Sequence, residues 1–211
     1  MNLKSLLSFS FLVLMTVFSW SGDAQSRSTT LYVDASYAGS SSDGSSDDPF
    51  KTIKEALDYR QSTLGLAGMV SDEEIIVRAG VYAPDSNGMI VLTQYNGGTG
   101  SYWLTLKTEG EVIIDGENLY NKKFAALITI TSAAKNVRVQ GFKLRDHRCN
   151  QSLATTETIN GTPTLVKDTK FGIQVANSGD NIEIIGTEIF DFSWTVNVHP
   201  MKTSFTSTQV W

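Results

Sequence analysis

The chain reads as an all-β protein, a parallel β-helix solenoid with a short capping helix at its N-terminal end. Two observations predict this. The first is a segment that occurs twice: Asn136–Asp146 reads N-V-R-V-Q-G-F-K-L-R-D, and Asn181–Asp191 reads N-I-E-I-I-G-T-E-I-F-D. The copies lie 45 residues apart, and the spacing holds upstream, where Ile128 and Ile130 align with Ile173 and Val175. Alternating branched residues mark strands, and self-similarity at a fixed period marks a solenoid. The second is the rest of the chain, a run of short apolar segments broken by Gly, Asn and Asp with a single clear helix.

Composition bounds the setting. Of 211 residues, Met1–Ala24 has a short polar start with Lys4, an apolar run over Leu6–Trp20, and a small-x-small ending at Gly22-Asp23-Ala24. This is the pattern of a secretory signal peptide cleaved before Gln25. A run of about fifteen residues is short for a membrane span, which needs roughly 20. No Cys follows it, which argues against a lipoprotein, and no later stretch is apolar enough to cross a bilayer. Residues 25–211 then form one secreted or cell-surface domain, with no stable membrane insertion once the signal is removed. The net charge of −5, with no basic stripe, argues against nucleic acid as a partner. Cys149 is the only cysteine, so no intrachain disulfide is possible, and packing and backbone hydrogen bonds must hold the fold.

The elements follow in order. Leu31–Val33 is a short strand, and Ala38–Asp48, rich in Gly, Ser and Asp, is a loop by composition. Its carboxylates are of the kind calcium takes, but EF-hand spacing is absent, and a solvated loop is the plainer reading. Thr52 and Glu55 form a capping box that opens a helix over Ile53–Arg60, with Ile53, Ala56 and Leu57 on one face. Such a helix suits a lid over the first coil, whose apolar end and strand edge must be covered. Glu74–Arg78 is a strand, with a turn over Ala79–Tyr82. Met89–Leu92 and Trp103–Lys107 are strands on either side of a flexible glycine-rich turn, Gln94–Gly100, which lacks the Lys-Ser/Thr ending of a phosphate loop. Val112–Ile114, Leu127–Thr131, Val137–Val139 and Phe142–Leu144 are further strands. Asp146–Lys170 breaks the rhythm with mixed polar residues. Ile173–Val175, Ile182–Ile184 and Glu188–Phe190 restore it. Three strands make a coil of about twenty residues, so the copies are separated by one coil plus an insert of about 24 residues; two coils is the rival count.

Stacking the copies sets Ile130 against Val175, Val137 against Ile182, Val139 against Ile184 and Leu144 against Ile189 as inward ladders. Asn136 and Asn181 fall at bends, where Asn tolerates the left-handed conformation and stacked amides can bond along the ladder. Gly141 and Gly186 mark the next bend. Asp146 and Asp191 end each block, either as turn acceptors or as stacked carboxylates that a cation would hold together. Residues Thr206–Trp211 read as the start of another coil, so the domain is expected to be incomplete at its C-terminus.

The run Leu31-Tyr32-Val33-Asp34, the Gly/Ser/Asp loop, and Asp48-Pro49-Phe50-Lys51-Thr52-Ile53-Lys54-Glu55-Ala56-Leu57 resemble the N-terminal cap of secreted bacterial right-handed parallel β-helix proteins. Ile75-Ile76-Val77-Arg78-Ala79-Gly80-Val81-Tyr82 and Val112-Ile113-Ile114-Asp115-Gly116 fit the same pattern, and the likeness, over about Leu31–Asp191, is to the pectate-lyase-like superfamily. That resemblance implies an extracellular protein acting on a polysaccharide. It favours a lyase on a uronic-acid polymer, with a Lys or Arg base and calcium often neutralising the uronate. Glycoside hydrolases and non-catalytic carbohydrate-binding or cell-surface proteins share the scaffold.

The densest group of candidate residues is Lys143, Arg145, Asp146, His147 and Arg148. Alternation puts Lys143 and Arg145 outward, opposite Phe142 and Leu144, as a basic face that would attract uronates or as an ordinary solvated strand edge. Arg145 and Lys170 are the candidate catalytic bases. Lys143, His147, Arg148 and Trp194 are candidate substrate contacts, and Asp146 and Asp191 a candidate calcium pair. Lys167 and Asp168 lie in the insert beside Lys170. Tyr95, Tyr102, Trp103 and Trp194 could stack on sugar rings, or belong to the core.

Overall fold

Three local rules decide the architecture: branched side chains at alternate positions, left-handed bends at Asn, Asp and Gly, and one capped helix. The computed structural model describes residues 30–64, 69–84, 90–117, 126–131, 133–146, 155–159, 162–166, 171–176, 180–190, 196–198, 203–206 and 209–210. The signal-peptide reading of 1–24 lies outside them. The elements are β1 (Thr30–Val33), α1 (Ile53–Leu64), β2 (Glu73–Tyr82), β3 (Ile90–Leu92), β4 (Leu104–Asp115), β5 (Ala126–Ile130), β6 (Lys135–Gln140) and β7 (Lys143–Arg145), followed by β8 (Thr155–Ile159), β9 (Thr162–Val166), β10 (Phe171–Val175), β11 (Asp180–Ile185), β12 (Glu188–Ile189), β13 (Val196–Val198), β14 (Thr203–Thr206) and β15 (Gln209–Val210).

The protein is mostly β, built from parallel sheets with one short helix. One sheet carries β14, β11, β6 and β4 in order, with β2 and β1 joined beside β4. It continues from the far half of β4 through β7 and β12 to β15. A second sheet runs β13, β10, β5, β3. The registers are those expected from the repeat: Ile128 and Ile130 face Ile173 and Val175, Val137 and Val139 face Ile182 and Ile184, and Leu144 faces Ile189. Strands β13, β14 and β15 pair onto β10, β11 and β12, so the backbone begins a further layer near the C-terminal end.

Parallel register turns alternation into columns. Leu31, Ile75, Leu106, Val139 and Ile184 stack across β1, β2, β4, β6 and β11. Tyr82, Ile114, Leu144 and Ile189 form a second column, and Ile90, Ile128 and Ile173 a third. All are buried in one core. Each branched side chain buried this way contributes about 1.5–3 kcal/mol.

The bends carry the register. Asn136 and Asn181 have φ of 48° and 55°, and the Asn181 Nδ2 donates to Asn136 Oδ1 at 2.7 Å. Asn136 in turn donates to the Gly100 carbonyl at 2.8 Å, tying the bend to the β3–β4 connection. Gly141 has φ of 84°, and a Cβ there would sit 2.4 Å from Thr108 Oγ1. At the N-terminal end the capping box is closed in both directions: Glu55 N donates to Thr52 Oγ1 and Thr52 N to Glu55 Oε2, each at 3.1 Å.

Several sequence expectations are corrected. Helix α1 continues past Arg60 to Leu64 in an exposed last turn, where the Ser62 and Thr63 hydroxyls both donate to the Tyr59 carbonyl. Arg60 is buried and its Nε meets Glu73 Oε2 at 2.7 Å, while its NH2 group donates to Gly97 O. The turn expected at Ala79–Tyr82 is a register irregularity inside β2, between Arg78 and Gly80. Trp103–Lys107 and Val112–Ile114 belong to one strand, β4, whose halves pair with β6 and β7. The insert holds an antiparallel hairpin, β8–β9, which its polar composition concealed. The Ala38–Asp48 loop is solvated as expected, with only Gly44 buried, and internal hydrogen bonds shape it: Gly44 O accepts from Tyr32 N, Asp43 accepts from Ser45 N, and Asp48 accepts from the Tyr37 hydroxyl.

Replacing Asn136 separates the two roles of the bend. Asn136→Ala loses a buried hydrogen-bonding amide and forces Ala into left-handed backbone, an expected loss of about 3 kcal/mol, whereas Asn136→Gly escapes the strain and loses about 1 kcal/mol less. Urea denaturation measures both, and equal losses for Ala and Gly would show that the left-handed φ costs nothing.

Candidate functional site

The parallel register brings one charged face together from three strands. Position by position, β7 sets Lys143 beside Ile113 of β4 and Glu188 of β12, and Arg145 beside Asp115. Alternation points these side chains away from the core, opposite buried Leu144 and Ile114. The sequence therefore located the outward strand face correctly. It did not show what else stands there.

The cations are paired. Lys143 Nζ lies 2.6 Å from Glu111 Oε2 and 3.9 Å from Glu188 Oε2. The Glu111 contact holds the Lys143 ammonium above its usual range, and the same contact lowers the Glu111 carboxyl. Arg145 places both Nε and NH2 3.0 Å from Asp115 Oδ2, and its Nε lies 3.3 Å from Asp146. Asp146 ends β7 in left-handed backbone, with φ of 56°. Among the described residues, four carboxylates thus surround two cations, and the face is acidic rather than basic.

Lys143, Arg145 and Asp146 are brought together. His147, Arg148, Lys170, Trp194 and Asp191 lie outside the described residues, as do Lys167 and Asp168. The candidate calcium pair is therefore represented by Asp146 alone, whose carboxylate is engaged by Arg145. Among the described residues no group of three metal-ligating side chains comes together.

Sequence reasoning missed Glu111, Asp115 and Glu188. For Glu188 the signal was present in the repeat itself. Position by position, the first copy has Lys135, Arg138 and Lys143 where the second has Asp180, Glu183 and Glu188. All three pairs close across the parallel strands, at 3.6, 2.6 and 3.9 Å. A separate cleft of about 660 Å³ lies beside α1, lined by Lys51, Thr52, Lys54, Val81, Tyr82 and Ile90 among others. It contains none of the sequence-predicted site residues. Its Lys54 is paired with Asp58, and burial pushes the Tyr82 phenol up, so that ring enters the wall neutral.

No family model matches the sequence, and no curated protein matches it. Among solved structures the chain is similar in fold to a rhamnogalacturonan lyase, with a TM-score of 0.54 and 13% sequence identity. The match covers 87% of this chain and 52% of that one, so the chain spans about half the length of that lyase. The likeness is one of fold.

The Lys143 pairing has a definite pH signature. Glu111 titrates lower in the folded chain, so its contribution is present above the ordinary value of 4.5 and is lost as pH falls through the depressed value. Lys143 titrates higher, so its contribution is present below 10.5 and is lost as pH rises through the elevated value. The stability gap between the parent and Lys143→Met should be widest near neutrality and narrow at both ends. A gap constant across a urea-denaturation pH series would refute the pairing.

Proposed function

We propose that the chain is a right-handed parallel β-helix from a secreted polysaccharide lyase that cleaves a uronic-acid-containing polymer by β-elimination. The observation that carries this reading is the fold likeness to a rhamnogalacturonan lyase over most of the chain. The in-register parallel columns and stacked Asn bends support the helical winding, because each layer repeats the one before it. Export rests on the apolar leader at Leu6–Trp20.

In such a reaction a base removes the proton on the carbon α to the uronate carboxyl group. The electron pair forms a carbon–carbon double bond, the glycosidic C–O bond breaks, and the leaving oxygen takes up a proton. Lys143 and Arg145 are the cations suited to hold the uronate carboxylate, Arg through its planar fork. Lys170 and Arg145 are the candidate bases. The ion pairs of Arg145 with Asp115 and Asp146 favour a binding role for it and leave proton abstraction to Lys170. No step of this reaction is assigned to a metal ion.

A second reading has its own observation. Because Lys143 and Arg145 are both held in internal ion pairs, the face also suits a carbohydrate-binding β-helix that does not cleave.

The two readings separate on incubation with rhamnogalacturonan, polygalacturonate and alginate. A lyase raises the ultraviolet absorbance as unsaturated product accumulates, and Lys170→Ala should lower that rate by about 10²-fold or more while leaving binding in place. Binding with no absorbance rise on any of the three polymers would leave the non-catalytic reading.

A further inference from the structure

The connection from Thr93 to Trp103, whose Gln94–Gly100 stretch reads from sequence as a flexible turn, is held by a set of backbone and side-chain hydrogen bonds. Asn96 is buried; it donates from Nδ2 to Val91 O, and its Oδ1 accepts from Thr93 N. Gly98 N donates to Lys135 O at 2.7 Å. A Cβ on Gly98 would fall 2.3 Å from Tyr102 O and 2.6 Å from Asn136 O, so only glycine allows the approach. Asn136 Nδ2 closes the far side through Gly100 O and Tyr102 O.

This rigid loop holds two aromatic rings in solvent. Tyr95 is 42% exposed and Tyr102 37%, two of only four large apolar side chains exposed among the described residues. Neither ring nor hydroxyl has a partner among the described residues. Trp103 next to them does: the Arg138 guanidinium lies 4.9 Å from its ring centroid and continues to Glu183 at 2.6 Å. Lys135 beside the loop is likewise paired, with Asp180.

We propose that Tyr95 and Tyr102 form an accessory platform on which sugar rings of an extended polysaccharide stack, apart from the charged face at Lys143 and Arg145. The proposal rests on the polysaccharide reading above. The two surfaces adjoin opposite ends of β4: Tyr102 and Trp103 precede Leu104, whereas Asp115 ends the strand.

The chemistry selects the occupant. A tyrosine offers an apolar ring face to the C–H side of a pyranose and a hydroxyl to its oxygens. A loop backbone fixed before binding removes part of the ordering cost, leaving only the rotamers of the two rings to be set. A nucleic acid would need cations free for phosphates, and the neighbouring Lys135 and Arg138 are each paired with a carboxylate. Two isolated rings are too small an apolar patch for a protein partner. With Lys135 and Arg138 paired and the Asp72 carboxylate accepting from Trp103 N at 2.9 Å, the charge beside the loop favours uncharged sugar residues over uronates.

Affinity electrophoresis of the full chain through gels containing rhamnogalacturonan tests this. The double variant Tyr95→Ala/Tyr102→Ala should raise Kd about tenfold, and Tyr95→Phe/Tyr102→Phe, which keeps the ring faces, should stay near the parent. Denaturation midpoints equal to the parent's would show that both variants fold. Equal retardation of the parent and the alanine variant would overturn the platform while leaving the polysaccharide reading intact. A parent chain that is not retarded by rhamnogalacturonan, polygalacturonate or alginate would overturn that reading, and the platform with it.

Discussion

Parallel strands cannot be joined by tight hairpins, so a chain that stacks them must leave each strand, turn, and return at the same level one layer later. Here that condition is met at Asn136 and Asn181. Each takes left-handed backbone that most side chains avoid, and the second donates its amide to the first. The same bend receives the Thr93–Trp103 loop through Gly98 and Gly100. The bends at Gly100, Asn136 and Asn181 are therefore tied in series. A one-residue slip there would turn Val137 and Val139 out and bring charged Arg138 in.

With the height fixed, the outer faces become columns of charge just as the inner ones become columns of apolar side chains. Each pair at such a surface adds little to stability. Its larger effect is on chemistry. Lys143 and Arg145 are not bare cations awaiting an anion, because Glu111, Asp115, Asp146 and Glu188 stand beside them. Each of the two cations already has an internal carboxylate partner, so an anion reaching this face would meet a surface whose charges are largely matched.

The repeat made the stacking legible. Alternation at Ile128–Ile130 and Val137–Val139 placed the inward residues, and Asn and Gly at fixed offsets placed the bends. These features depend on local geometry that recurs in the sequence. What stayed hidden depended on pairing between segments that do not resemble each other. Asp115 and Glu111 come from β4, which has no copy in the repeat, so nothing in the sequence set them beside Arg145 and Lys143. The β8–β9 hairpin was concealed for a related reason: Thr155–Ile159 and Thr162–Val166 carry polar strand residues without an apolar face. Gln94–Gly100 looked flexible because glycine permits many conformations, yet at Gly98 it serves close approach instead. Arg60 was legible in hindsight, since it continues the buried face of Ile53, Ala56 and Leu57.

The apolar columns cannot tell one repeat from the next, because Val137 and Val139 on one level meet Ile182 and Ile184 on the other, and either pair would accept a copy of itself. The charged columns can. Lys135, Arg138 and Lys143 find Asp180, Glu183 and Glu188 only when the second repeat follows the first. A chain that borrowed the first repeat of a neighbouring molecule would set lysine against lysine and arginine against arginine at all three positions. The reversal of sign gives the stack an address for each layer, and guards a repetitive fold against misassembly with its own near-copies.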